Sequence, residues 1–159
     1  MPERDQSIDD AARTIGHACM IKGLTVAVCE SLTSGQIATN LGAVPEASEW
    51  FSGSLVAYRN QTTFDVLGID EGPVVTAEAA ERMAAGIREL THADVAVSVT
   101  GVGGPGSEEG EDAGTVFIGV SAANGTLSFA HRFDGDPEEI VQRSVQTSLR
   151  HLQAAVLAA

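Results

Sequence analysis

Six residues, Glu30-Ser31-Leu32-Thr33-Ser34-Gly35, separate a short apolar, β-branched run (Leu24 to Cys29) from a segment at helical spacing (Gln36 to Leu41). A serine at the carboxyl end of a strand, where a helix begins, can present its hydroxyl at the sheet edge beside amides the helix leaves unpaired. Those amides and the helix dipole favour an anion, either a phosphate or the oxyanion of acyl transfer. The alternative is that Ser31 or Thr33 caps the helix. A second loop, Thr100-Gly101-Val102-Gly103-Gly104-Pro105-Gly106-Ser107, also follows a strand. Its glycines let backbone N–H groups approach a phosphate or a planar ring closely, and a plain flexible connector is the other reading. No Gly-Lys-Ser/Thr follows, so it is not a Walker loop. Tyr58, the only tyrosine, closes a further strand and shares this edge if that strand is parallel to the first.

A serine nucleophile needs an activating partner. Lys22, the only lysine, precedes the first strand whereas Ser31 follows it. Six strand residues at ~3.3 Å each place the two roughly 20 Å apart. Arg59 stays protonated and can only stabilise charge. Tyr58 would act as a base only if its pKa fell well below ~10. His17, His92, His131 and His151 fall on helices or in a distal hairpin and read as surface or interface residues.

The elements that must hold these loops follow from periodicity. Ile8, Ala11, Ala12, Ile15, Ala18, Cys19 and Ile21 predict an amphipathic helix over 6–21, stopped by Gly23. Residues 50–58 predict a second strand, with Gly53 permitting a bulge. Asn60 to Leu67 predicts a short helix. Thr76 is the expected N-cap of another helix, with Ala79, Met83, Ile87 and Leu90 facing inward. Asp94 to Thr100 is the clearest strand. Two more strands, 115–121 and 126–133, bracket Ala123-Asn124-Gly125 and predict a hairpin. Asp136-Pro137-Glu138-Glu139 opens the last helix with an Asp cap, a proline and acids in the first turn. The order predicts an α/β fold, a three-layer α/β/α sandwich with a mixed sheet and a β-hairpin in the C-terminal half.

The chain has 159 residues and reads as a single domain spanning 1–159. Its charge of −13 argues against nucleic-acid binding. No apolar run reaches membrane-spanning length, so a cytoplasmic protein without membrane partners is expected. Cys19 and Cys29 match no metal motif and read as core residues. No metal or cofactor is expected. The apolar last helix and the hairpin make a homo-oligomer the expected state.

Several of these segments together resemble one family. Ala27-Val28-Cys29-Glu30-Ser31-Leu32-Thr33-Ser34-Gly35 is similar to the A-E-S-C/L-T-G-G signature of the CinA C-terminal domain family, which includes nicotinamide-nucleotide amidohydrolases. Trp50 to Asn60 resembles its S-x-x-F-x-G-G-x-V-x-Y-S-N segment, and Val99 to Gly106 its V-T-G-I-A-G-P-G loop. Gly114-Thr115-Val116 and Phe133-Asp134-Gly135-Asp136 match later elements. The resemblance implies metal-free deamidation of nicotinamide mononucleotide to the nicotinate form and ammonia. It implies that Ser31 attacks the carboxamide, with Tyr58 shaping proton transfer and the backbone at Leu32, Thr33 and Ser34 receiving the oxyanion. On the substrate side it places Glu30, Leu32, Thr33, Ser34, Gly35, Arg59, Asn60, Thr100, Gly101, Gly103, Gly104, Pro105, Gly106 and Thr115.

The chain departs from the pattern where the family keeps its base. The family lysine falls five residues after the tyrosine, and Thr63 stands there. A threonine hydroxyl is too weak a proton acceptor to replace it. Ser34 replaces a glycine, and Glu111-Asp112 stands where the family carries a cation. The connection from Gly68 to Thr76 is shorter than usual for the family. Two functions follow as expectations. One is an amidohydrolase whose reaction is slow or redirected to another amide; the other is a non-catalytic module that binds a nucleotide or a partner.

Overall fold

The computed structural model describes residues 5–159. The first helix, α1 (Gln6–Lys22), starts where Asp5 accepts the Ser7 amide and stops at Gly23, which takes the left-handed conformation at φ 67°. The chain continues through β1 (Val26–Glu30), α2 (Gln36–Gly42), a single 3-10 turn, β2 (Phe51–Val56), α3 (Asn60–Leu67) and α4 (Ala77–Thr91). It ends with β3 (Val95–Gly101), the hairpin β4 (Thr115–Ala122) and β5 (Gly125–Arg132), and α5 (Pro137–Ala158). The last helix has the expected Asp136 cap, whose carboxylate accepts the Glu139 amide at 2.9 Å.

The five strands form one sheet in the order β2-β1-β3-β4-β5. β1 is parallel to β2 and to β3, while β4 runs antiparallel to β3 and β5 antiparallel to β4. The mixed sheet is therefore as expected: helical crossovers join the parallel strands and a tight hairpin joins the antiparallel pair. The bulge lies where glycine permits it, since Val26 pairs with Phe51 but Ala27 pairs with Gly53, at φ 136°.

β1 is buried along its whole length because both faces of the sheet are covered. Val26 and Val28 join α1, α2 and α5 in the larger core, with Ile15, Trp50, Leu149 and Leu152. Ala27 and Cys29 point to the other face, against Met83 and Ile87 of α4. Two inward expectations fail. Ile21 is 71% exposed and Leu90 is 53% exposed. Ile21 lies two residues past Cys19, about 200° round the helix from it. Leu90 lies in the last turn of α4.

Candidate functional site

Ser31 is the first residue beyond β1, and the turn it opens is built around its neighbour. The Glu30 side chain is fully buried. Its carboxylate accepts the amides of Ile37 at 2.9 Å and Ala38 at 3.0 Å, and the Thr33 hydroxyl at 2.7 Å. The N-cap residue of α2 is Gly35, which has no side chain to offer. Glu30 therefore performs the capping expected of Ser31 or Thr33. It also occupies the anion position at the α2 N-terminus that was expected to receive substrate. Glu30 and Thr33 thus build the turn, their side chains bonded to one another and, through Glu30, to the first amides of α2. The turn passes through two left-handed residues, Ser34 (φ 52°) and Gly35 (φ 93°).

Ser31 faces a cleft of about 180 Å³ lined by eight of the expected site residues: Ser31, Leu32, Tyr58, Asn60, Thr100, Gly101, Gly103 and Gly104. The parallel run of β1, β2 and β3 brings their carboxyl ends together here, as the strand–helix reading required. Tyr58 lies beyond β2 and is 71% exposed. Of the three amides expected to receive an oxyanion, that of Ser34 is taken by the Ser31 carbonyl at 3.2 Å, and only Leu32 lines the cleft. Ser34, Gly35, Arg59, Pro105, Gly106 and Thr115 are absent from the wall. Thr115 is buried instead, its carbonyl accepting the Val102 amide at 2.9 Å.

Sequence reasoning missed Val74, Val75, Glu108, Pro137 and Val141, which complete the wall. They come from the α3–α4 connection, the acidic loop and the first turns of α5, segments whose approach depends on tertiary packing. The glycine-rich loop is held, not loose. Thr100 donates its hydroxyl to the Val74 carbonyl at 2.8 Å, and Glu109 accepts the amides of Val74 at 2.9 Å and Val75 at 2.7 Å. A Cβ at Gly101 would lie 2.6 Å from the Thr115 carbonyl, so that glycine is needed for packing. At Gly103 the nearest atom to such a Cβ is Leu32 Cδ1, 4.0 Å away, so that position opens on the cleft.

The model of the CinA C-terminal domain matches residues 8–156. The chain belongs to this family. A CinA-like protein of Desulfotalea psychrophila is 39% identical over 94% of this chain, and a putative competence-damage inducible protein of Bacillus pumilus is 42% identical over 88%. The chain spans only 38% and 35% of the length of these two curated relatives. A crystal structure of the competence/damage inducible protein CihA from Agrobacterium tumefaciens superposes with a TM-score of 0.90 at 32% identity, covering 98% of this chain and 99% of that one.

Among the described residues no lysine lines the cleft. Thr63 does not reach it: the residue is buried on α3 and lines a neighbouring cavity of about 200 Å³ with Phe64, Ile69 and Met83. Lys22 is committed at the other end of the sheet, where its Nζ donates to the carbonyls of Val156 and Leu157 in the last turn of α5 at 3.0 and 2.8 Å. No histidine lines the cleft. Ser31 Oγ donates its proton to the Val99 carbonyl at 3.2 Å. The cysteines offer no substitute nucleophile: burial pushes the Cys29 thiol up to about 12 and the Cys19 thiol to about 11. Among the described residues, Glu108 is the only charged side chain on the cleft wall. A larger, mainly apolar cavity of about 580 Å³ opens away from Ser31, between β5 and the end of α5. Among the described residues no helix is long and apolar enough to cross a membrane.

Proposed function

We propose that this CinA-family domain binds a carboxamide-bearing pyridine nucleotide or nucleoside in the Ser31 cleft and does not turn it over at an enzymatic rate. The observation that carries the reading is the state of Ser31. Its hydroxyl sits at the strand end where an attacking oxygen belongs, yet its proton goes to the Val99 carbonyl, and among the described residues neither a lysine nor a histidine lines the cleft and no bond joins Ser31 to the Glu108 carboxylate. A carbonyl oxygen cannot accept that proton as attack proceeds, so the hydroxyl stays a weak nucleophile. The glycine loop and the Asn60 side of the cleft then act as a binding surface for a planar amide.

The test is ammonia release from nicotinamide mononucleotide and nicotinamide riboside, beside calorimetric binding isotherms for these two and for nicotinamide. Wild type and Ser31→Ala are expected to release ammonia equally, at background, while wild type binds one or more of the three. Release by wild type clearly above Ser31→Ala would overturn the non-catalytic reading. Absence of binding by nicotinamide, nicotinamide riboside and nicotinamide mononucleotide alike would overturn the carboxamide reading.

A further inference from the structure

β5 closes the sheet on one side, and among the described residues only β4 pairs with it. The Phe133 amide, one residue beyond the strand, donates to the Gly114 carbonyl at 2.9 Å, so the odd-numbered residues of β5 turn their backbone groups toward β4. The amides and carbonyls of Thr126, Ser128, Ala130 and Arg132 therefore face outward along a bare edge. Folded chains usually blunt such an edge with a lysine, a proline or a bulge. These eight residues hold none of the three, and their pairing with β4 runs without a register shift from Gly125 to Arg132.

The edge is covered on one face of the sheet and open on the other. α4 packs across β4 and β5, and Ser128 bonds Glu81 of α4 at 2.8 Å. On the opposite face α5 packs on β3 and β4 and meets β5 through His151, which stacks on Phe129 and bonds His131. Beside His151 the apolar cavity of about 580 Å³ stays open, with Leu127 54% exposed on its wall. A net charge of −13 works against the approach of two copies, yet this face escapes it. All 22 acidic residues lie outside 113–133 and 140–159, the segments that supply β4, β5 and most of α5. The acids that come near from other elements are engaged within the chain: Glu81 with Ser128, Asp94 with the Thr25 amide at 2.8 Å, and Asp112 with Arg132 at 3.4 Å.

We propose that β5 is a docking edge for a second copy of this chain, the two strands pairing antiparallel across a two-fold axis at Phe129 and joining two five-stranded sheets into one. A two-fold axis sets the same patch against itself and closes the assembly at two. The register centred on Phe129 engages all four outward residues, with Thr126 opposite Arg132 and Ser128 opposite Ala130 of the second copy. Phe129 then meets its own counterpart in a non-hydrogen-bonded pair, ~4.5 Å between Cα atoms, where aromatic side chains stabilise a sheet across the strands. Leu127 of each copy is taken from water.

Sedimentation equilibrium over the micromolar range is expected to give twice the chain's 16.4 kDa. Ala130→Pro removes an outward amide at a kind of edge position that accepts proline, and Leu127→Glu places an acid on the open face. Each variant is expected to sediment as a monomer that still unfolds in one cooperative urea transition. If Ala130→Pro lacks that transition, Leu127→Glu decides. Cysteine cross-linking reads the register. Phe129→Cys is expected to form an intermolecular disulfide readily. Leu127→Cys, at the more exposed position, is expected to stay reduced, because its two copies lie ~13 Å apart, beyond the ~7 Å that a disulfide spans. A monomeric wild type, which would leave the open face to a small apolar ligand or to a different chain, would overturn the proposal. So would a dimer that survives Leu127→Glu, or cross-linking of Leu127→Cys as fast as of Phe129→Cys.

Discussion

The Glu30 carboxylate accepts the Ile37 amide at 2.9 Å, so the last residue of β1 caps α2 from across the turn that carries Ser31. Strand, turn and helix are thereby locked into one unit. The serine's position is set by the buried Glu30 side chain beside it and its bonds to α2 more than by its own single bond to Val99.

Removing that carboxylate is expected to cost more than any substitution on the cleft wall. Glu30→Ala leaves the Ile37 and Ala38 amides and the Thr33 hydroxyl without their acceptor. Orphaning buried donors of this kind predicts a loss of about 3 kcal/mol or more. Urea unfolding of the variant checks it, and a change under about 1 kcal/mol would contradict the capping role.

Ser34 adopts a left-handed backbone at φ 52°, a region costly to residues with a Cβ. Ser34→Gly relieves that cost and gives back part of it as freedom of the unfolded chain. A net stabilisation of about 0.5 kcal/mol is expected from the urea midpoint. Destabilisation would mean that the hydroxyl matters more than its long 3.5 Å contact with the Leu32 carbonyl suggests.

Gly103 opens on the cleft with no neighbour closer than 4.0 Å to a built Cβ. Gly103→Val should leave unfolding within about 0.5 kcal/mol of wild type while blocking nicotinamide binding in calorimetry. Wild-type affinity in this variant would place the ligand elsewhere on the molecule.

His131 and His151 meet through their Nε2 atoms at 2.9 Å, with His151 stacked on Phe129. Burial first, and the neighbouring His131 second, hold His151 at about 4, well below the ordinary histidine value of 6.5. Burial lowers His131 as well. Between about pH 6.5 and pH 4 the unfolded chain therefore takes up a proton that folded His151 refuses. The stability tied to the neutral ring is fully present above that window and is lost as pH falls through it. Because the ring is only half-buried, solvent screening limits the effect to about 1 kcal/mol. Urea midpoints at pH 7 and pH 5 should differ less in His151→Gln than in wild type; an equal difference would contradict the assignment.

Most of the architecture could be read from local signals. The β-branched run before Glu30, the Ala123-Asn124-Gly125 hairpin and the Asp136-Pro137 helix start each carry their reason within a few residues, and each appears where expected. The Gly53 bulge was legible for the same reason. What could not be read is what distant segments do to one another. The capping by Glu30 could not be read because its partners, Ile37 and Ala38, are backbone groups without a sequence signature. Val74, Val75 and Val141 line the cleft only because the α3–α4 connection and α5 fold over it. Thr63 shares a chain segment with Tyr58 but turns into a separate cavity.

Lys22 has a practical meaning beyond its absence from the cleft. It is the chain's only side-chain amine, and its three bonds clasp the end of α1 to the last turn of α5. An acylating reagent aimed at lysine thus has one side-chain target, a mechanical joint between two helices at the sheet end remote from Ser31. The rate at which that amine is acylated would report on the loosening of that joint, at a distance from the ligand cleft.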